Sequence, residues 1–427
     1  MTALLVTYQL LIFAVFSYLY KGLIFSGNLI HISSFHFAYF FVFYFLGASE
    51  LYVDGGLVND RYFFSVTLYP IIVVLGMYTA KAESKCKVDY LVVKLKNFKY
   101  IFLFALVISI LYALSLKEIP LSYILEGDAA GAAISRTDAT KEYEGSKTVY
   151  YAFRVIVDYI LIYLLIFIYV KYEKMTVLFI VSLIGALTIS LFDFQKYPAI
   201  NILVMLSMAV FLFNRAKLST RMSLGTLVNF KVLLMLLCSY LVLGGLWAAA
   251  AGRLNDRDMF GIFESIIQAA NSMVGDRLIF GENRPLYAVY QIVPARFDYF
   301  LGQTFPNPLR LLPFEPIQFS YIVYDAVHPG GEGVEGVRGA APTAFFSVIY
   351  ANFGIVVSFI SMYLFGFLVQ ILNDKLLYLN KYVIPYRFVL LNYVTLFATS
   401  IDVFFLSEKV FLIVLLYFVM YRKIRKV

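Results

Sequence analysis

The sequence predicts an all-α polytopic membrane protein. Three observations predict it: a large excess of apolar over charged residues, apolar runs of membrane-spanning length, and lysines confined to alternate connections. Of the 427 residues, 62% are hydrophobic and 15% charged, with a mean hydropathy of +0.81. A soluble domain carries about 45–50% apolar and about 25% charged residues. Lipid is the solvent that suits so apolar a surface. The net charge of +8 and a pI near 9.1 would suggest nucleic acid in a soluble protein; here the basic residues follow membrane topology, and no nucleic-acid partner is expected.

Crossing a hydrocarbon core roughly 30 Å thick takes about 20 apolar residues. Runs of that kind occur at 4–20, 32–51, 62–80, 100–116, 149–170, 175–192, 197–213, 231–250, 343–371, 384–401 and 404–421. They predict about eleven transmembrane helices, within a range of roughly 10–12 given the length each crossing needs. The first run lacks a basic leader and a small-residue cleavage site, so it reads as a retained span. Cys86 lies in a Lys-rich connection and Cys238 in an apolar run, and no CxxC is present, so neither a disulfide nor a redox site is expected.

Orientation follows from lysine and arginine in short connections, which stay in the cytoplasm. The 81–99 connection carries Lys81, Lys85, Lys87, Lys94, Lys96 and Lys99. Lys171 and Lys174, then Arg215, Lys217 and Arg221, then Lys375, Lys381 and Arg387, and finally Arg422, Lys423, Arg425 and Lys426 recur with the same parity. The amino terminus is then external and the carboxyl terminus cytoplasmic. The chain reads as one transmembrane domain, 1–427, with a smaller external loop at 117–148 and a large one at 251–342.

The large loop holds seven arginines (Arg253, Arg257, Arg277, Arg284, Arg296, Arg310 and Arg338) and no lysine. Topology does not ask for arginine outside. A guanidinium fork matches phosphate bidentately, whereas lysine is a point charge. The alternative is pairing with the loop's ten acidic residues, Asp256, Asp258, Asp276 and Glu282 among them. Phe260–Val274 places Phe263, Ile266, Ile267 and Ala270 on one face, which predicts an interfacial amphipathic helix. Pro285–Gly302 predicts a second. From His328 to Gly339 the chain carries five glycines, a backbone able to wrap an anion or simply to connect. Pro342 suits the first position of the next span, whose positive N-terminal end would face this loop from the outer surface.

His328 is one of three histidines and the one in a long external loop. It is the candidate base for a sugar hydroxyl, with Glu332 and Glu335 as competitors. In the smaller loop Arg136 sits among Asp128, Asp138, Glu142 and Glu144, so an ion pair and a ligand role stand side by side. Arg154 and Asp158 are one helical turn apart at the end of a span, and read as mutual neutralisation or as an arginine held at a pocket. Lys196 stands on a short turn beside Asp193. Asp256-Arg257-Asp258 matches DxD, but without a His/Cys cluster beside it no metal or other cofactor is expected.

These features resemble the bacterial Wzy-type O-antigen and capsule repeat-unit polymerases, and more distantly the O-antigen ligases. The resemblance is carried by GDRLIFGENRPLYAVY (275–290), by the Gly-rich stretch after it, and by APTAFFSVIYANFGIVVSFISMYLFG (341–366), similar to that family's re-entering span with an NFG step. The family's Arg-then-Gly signature is shortened here: Arg136 precedes Gly145, and Arg253 precedes Gly261. The resemblance implies a GT-C-like fold and a glycosyltransferase of the inner membrane acting on undecaprenyl-pyrophosphate-linked oligosaccharides among membrane lipids. A chain-length regulator is an implied partner. Arg136, Arg154, Lys196, Arg253, Arg284 and Arg338 would then hold pyrophosphate and glycan, with His328 or Glu332 as the base. Two alternatives stay open: a ligase passing glycan to lipid A core, and a lipid-linked oligosaccharide flippase, which should show internal repeats and broken helices.

If bidentate contacts matter, Arg284→Lys should shorten the surface polysaccharide nearly as much as Arg284→Ala. Wild-type chain lengths in the Lys variant, read on a gel, would remove that argument.

Overall fold

The computed structural model describes residues 2–24, 31–54, 60–83, 90–94, 97–125, 129–140, 143–192, 196–218, 241, 244–245, 248, 259–272, 283–305, 313–329, 341, 343–377, 381–396 and 408–424. They are almost wholly helical. Among the described residues, five helices are long and apolar enough to cross a membrane: Ala3–Leu23, Asp60–Lys81, Phe98–Ser115, Lys147–Tyr172 and Phe345–Asp374, the last of them broken at Gly354. Shorter apolar helices include Ser34–Phe45, Val177–Ser190, Asn201–Val210 and Val410–Met420. The expected span at 231–250 lies almost wholly outside the described residues. The chain packs as two compact units, one of 1–88, 275–378 and 391–410, the other of 89–274, 379–390 and 411–427.

The first unit is built on α1 (Thr2–Ile24), α2 (Ser34–Phe40, running on as a π-helical turn Phe41–Phe45), α3 (Ala48–Asp54) and α4 (Asp60–Glu83). Gln9 donates to the Phe45 carbonyl (2.8 Å) at one end of α1, and Tyr20 meets Ser33 and Ser34 (2.8 and 2.9 Å) at the other, so α1 and α2 are antiparallel. Tyr8 packs on Phe63, and the Tyr78 hydroxyl donates to the Leu19 carbonyl, so α1 and α4 run parallel. Both interior histidines are paired within the unit, as a solvent without hydrogen bonds demands. His31 bonds Ser33 and Gln370 (both 2.8 Å); His36 bonds the Tyr69 hydroxyl (2.7 Å) and the Val394 carbonyl (3.0 Å).

Phe345–Leu377, here α15, breaks at Gly354, whose φ of 82° and ψ of −178° leave helical space. Beyond the break, α15 runs parallel to α4 and antiparallel to α2: Phe365 packs on His36, while Gln370 and Asn373 bond His31 and the Ile32 amide (2.8 and 3.4 Å). Before the break the chain runs the other way. Phe345 and Phe346 pack on Tyr69 (6.1 and 4.9 Å), yet Tyr350 receives a bond from Arg61, eight residues earlier on α4. Ser358 donates to the Phe346 carbonyl at 2.7 Å, twelve residues away; a straight helix would separate them by about 18 Å. Phe345–Phe353 is therefore a re-entrant arm that begins at mid-span and climbs towards the start of α4.

This corrects the expectation of one continuous span over 343–371 with its N-terminus at the outer surface. The physical reason is Gly354: its positive φ costs a residue without Cβ little, and the arm's freed carbonyls have partners. Phe300 and Leu301 amides donate to the carbonyls of Ala351 and Asn352 (3.1 and 3.2 Å), and the Gly302 amide donates to Asn352 Oδ1 (2.8 Å). Irregular backbone at membrane depth survives only when satisfied in this way.

The α4/α15 crossing is unusually close. A Cβ on Gly76 would overlap the Tyr363 carbonyl oxygen, and one on Gly366 the Val73 carbonyl oxygen. Small residues let two backbones approach in this manner.

The second unit surrounds a long helix made of α8 (Lys147–Val155), a π-helical turn (Ile156–Ile160) and α9 (Leu161–Tyr172). Its residues from Val155 to Val170 are all buried in protein, whereas most of Phe98–Ser115 (α5) is not. Phe153 stacks on Tyr112 at 3.8 Å and Phe167 on Phe98 at 4.7 Å, joining it to α5. Of the remaining helices in this unit, α10 (Val177–Ser190) starts at Thr176, whose side chain caps the Phe179 amide (3.2 Å); α11 is Lys196–Leu218. The smaller loop contains α6 (Pro120–Leu125) and α7 (Ala129–Thr140). Strand β1 (Tyr90–Val93) pairs antiparallel with β2 (Tyr421–Ile424), with Val92 opposite Arg422. The end of the Lys-rich connection and the start of the basic tail thus meet in one ladder.

The large loop carries α12 (Met259–Ser272) in the second unit and α13 (Asn283–Ile292) and α14 (Phe319–Val327) in the first. The expected helix over 260–274 is present as α12, with Ser265 and Ala269 buried and Phe260 and Phe263 exposed. The second expected helix is shorter than 285–302, because Pro294 disfavours helical geometry at Val293. Helices α16 (Ile384–Leu396) and α17 (Glu408–Met420) complete the chain.

The crossing yields a signed prediction. Gly366→Ala should destabilise the protein by about 1–3 kcal/mol through overpacking. The same change at Gly185, which faces open space, should be neutral or stabilising by up to about 1 kcal/mol. Thermal unfolding in detergent compares the two.

Candidate functional site

The residues chosen from sequence separate between the two units. Arg284 and His328 belong to the first unit, Arg136, Arg154 and Lys196 to the second. Arg253, Glu332 and Arg338 lie outside the described residues, as do Glu335 and the Asp256-Arg257-Asp258 triplet.

Arg154 Nη2 lies 3.4 Å from Asp158 Oδ1, with side chains 14% and 3% exposed. The i,i+4 spacing on α8 supplies this pair, and Asp158 sits in the π-helical turn. Of the two readings of Arg154, the geometry favours neutralisation, since a carboxylate inside an apolar helix is expensive without a counter-ion. Arg136 is exposed on α7. Glu144, one of its expected neighbours, instead pairs with Lys117 at 2.8 Å, and that bond, with the charge behind it, holds the exposed Lys117 ammonium above its ordinary pKa. Lys196 is the first residue of α11, its side chain outside the described residues.

In the first unit, His328 caps the end of α14 through its own amide, which donates to the Tyr324 carbonyl (2.9 Å). Its ring packs on Tyr324 at 4.7 Å and is exposed. Among the described residues no carboxylate orients the imidazole, so its role as a base rests on its chemistry and place in the chain. Arg284 is exposed at the start of α13, beside a buried clip: Tyr62 donates to Asn283 Oδ1 (2.8 Å), and Asn283 Nδ2 donates to the Phe43 carbonyl (2.9 Å).

That clip opens onto a cluster of tyrosines absent from the sequence reading. Tyr62 packs edge-on to Tyr287 and Tyr290 (5.0 and 5.9 Å). Tyr290 stacks on Tyr350 at 4.3 Å, and burial pushes its phenol far above the ordinary range, keeping it neutral. Tyr350 donates to the Val293 carbonyl (3.0 Å) and accepts from Arg61 Nη1 (3.3 Å). Tyr299 stands edge-on to Tyr350 at 6.2 Å and next to Gly354. The re-entrant arm, the start of α4 and α13 therefore converge on one arginine. Sequence reasoning passed over Arg61. Its signal was being the sole basic residue of the 52–61 connection, which the parity of the Lys-rich connections would put on the side where the distribution of charge does not ask for one.

No family model, curated protein or solved structure matches this chain.

The Arg154–Asp158 reading has its own test. Asp158→Leu should cost on the order of 3 kcal/mol by leaving an unpaired charge in an apolar helix. The double change Arg154→Leu with Asp158→Leu should recover most of that loss in a thermal-unfolding scan. A double variant as unstable as the single one would show that the pair is not simple neutralisation.

Proposed function

We propose that this protein is a metal-independent membrane glycosyltransferase, a surface-polysaccharide polymerase of the bacterial inner membrane. The observation that carries the reading is the arginine-only basic content of the large loop; the resemblance to the repeat-unit polymerases supplies the reaction. The helical membrane character is the setting such an enzyme needs, and the break after Asn352-Phe353 sits where the resemblance implies a re-entering span. In this reading the amino terminus and both long loops face the periplasm and the tail the cytoplasm.

The chemistry is a displacement. An acceptor hydroxyl on an incoming undecaprenyl-pyrophosphate-linked unit forms the new glycosidic bond. The bond between the growing glycan and its own lipid pyrophosphate breaks, and the electron pair leaves with the pyrophosphate. The hydroxyl proton passes to His328 or Glu332. The principal demand is fixed positive charge aimed at the leaving diphosphate, for which Arg136, Lys196, Arg253, Arg284 and Arg338 are the candidates, with Arg154 the weakest because Asp158 already holds it. A chain-length regulator fits as partner. The ligase reading shares this chemistry. The flippase reading gains one observation, the broken helix at Gly354.

Deletion in the native strain separates them. Loss of a polymerase leaves single capped units; loss of a ligase leaves no capped glycan while long lipid-linked chains accumulate; loss of a flippase traps short lipid-linked units on the cytoplasmic side. Persistence of long surface chains would overturn all three.

A further inference from the structure

We propose that Arg61 is a phosphate-binding residue, a member of the substrate-binding set that lies outside both long loops. The inference rests on the polymerase reading for the identity of the ligand, but not for its chemical class.

The argument is one of charge and orientation. A guanidinium has five N–H donors. Among the described residues one of those on Arg61 meets the Tyr350 hydroxyl, and the side chain is exposed. The adjacent Asp60 is engaged elsewhere, accepting from the Tyr52 hydroxyl at 2.7 Å. Arg154 offers the contrast: there a carboxylate stands opposite the guanidinium and cancels its charge. Tyr350 cancels nothing. Its own proton goes to the Val293 carbonyl, and its ring is held by the stack on Tyr290, so it turns a lone pair towards Arg61. A neutral phenol thus aims the fork, and among the described residues no ion pair holds the Arg61 guanidinium.

An arginine aimed by a neutral partner suits an anion that comes and goes. Phosphate oxygens match its fork in two-point contact. Two sources supply them at a membrane surface: the diphosphate of a polyprenyl-linked glycan, and the headgroup of an anionic phospholipid. The re-entrant arm bears on the choice. Tyr350 belongs to that arm, four residues before Gly354, and Tyr299 lies within ordinary contact of the Gly354 position. Arg61 is thereby tied to an irregular, protein-capped step in the backbone, which is where cavities open in membrane proteins, rather than to a smooth lipid-facing helix. We therefore assign the polyprenyl diphosphate as its ligand.

The test uses the full-length protein in phosphatidylcholine nanodiscs, with three probes: undecaprenyl diphosphate, inorganic pyrophosphate and phosphatidylglycerol. Loss of a charge-assisted contact is worth about 1.5–3 kcal/mol, so Arg61→Gln should weaken undecaprenyl diphosphate by about ten- to a hundredfold. Tyr350→Phe keeps the charge but not its aim, and should weaken binding severalfold. Arg61→Lys keeps charge without the fork and serves if the Gln variant fails to fold; it too should bind severalfold more weakly. Unchanged undecaprenyl diphosphate affinity in folded Arg61 variants overturns the proposal and leaves the polymerase reading standing. A loss seen equally for phosphatidylglycerol assigns the phosphate to bulk lipid and overturns the polyprenyl assignment. Failure of the wild-type protein to bind undecaprenyl diphosphate, with phosphatidylglycerol binding that depends on Arg61, counts against the polymerase reading itself while the phosphate contact stands.

Discussion

The first unit depends on the contact between two backbones, α4 and α15, with a glycine from each at the crossing. Between helices in lipid there is no hydrophobic gain from hiding apolar surface, since the solvent is as apolar as the side chains. Close approach is what remains, and Gly76 and Gly366 remove the atoms that would prevent it. The aromatic layers around the crossing, Phe40, Tyr69 and Phe346 on one side and His36 with Phe365 on the other, take their spacing from it. A side chain at either glycine would separate the helices and loosen those layers together.

The same crossing makes room for the re-entrant arm. Because α15 approaches α4 closely only below Tyr69, the upper half of α4 is left for Phe345–Phe353 to occupy in the opposite direction. The arm survives because its carbonyls are met by Phe300, Leu301 and Gly302, and its Asn352 side chain holds both Gly302 and Thr304. Part of the 251–342 loop is thus fastened to the re-entrant arm by hydrogen bonds. A loop tied in this way is held in one geometry and is more than a tether between helices.

Charge is handled in two manners. Arg154 is neutralised within its own helix, one turn from Asp158, and its contribution is to let the buried core of the second unit carry ions at all. Arg61 is oriented by a phenol and keeps its charge. The two arrangements differ by a single partner, a carboxylate in one and a phenol in the other.

The helical membrane class, the places of most apolar runs, the helix α12 and the Arg154–Asp158 pair were legible in the sequence. All are local: they follow from composition, from a helical period or from a spacing of one turn. The break at Gly354 was visible only as a glycine after Asn352-Phe353, since a glycine inside an apolar run fits a continuous span as well as a fold-back. The reversal itself, the glycine crossing and the Arg61–Tyr350 contact needed tertiary structure. Arg61 and Tyr350 stand 289 residues apart, and no periodicity spans that distance. Which arginine meets a carboxylate and which a phenol is settled by how helices cross, and helix crossing is set by packing between segments that carry no record of one another in their order along the chain.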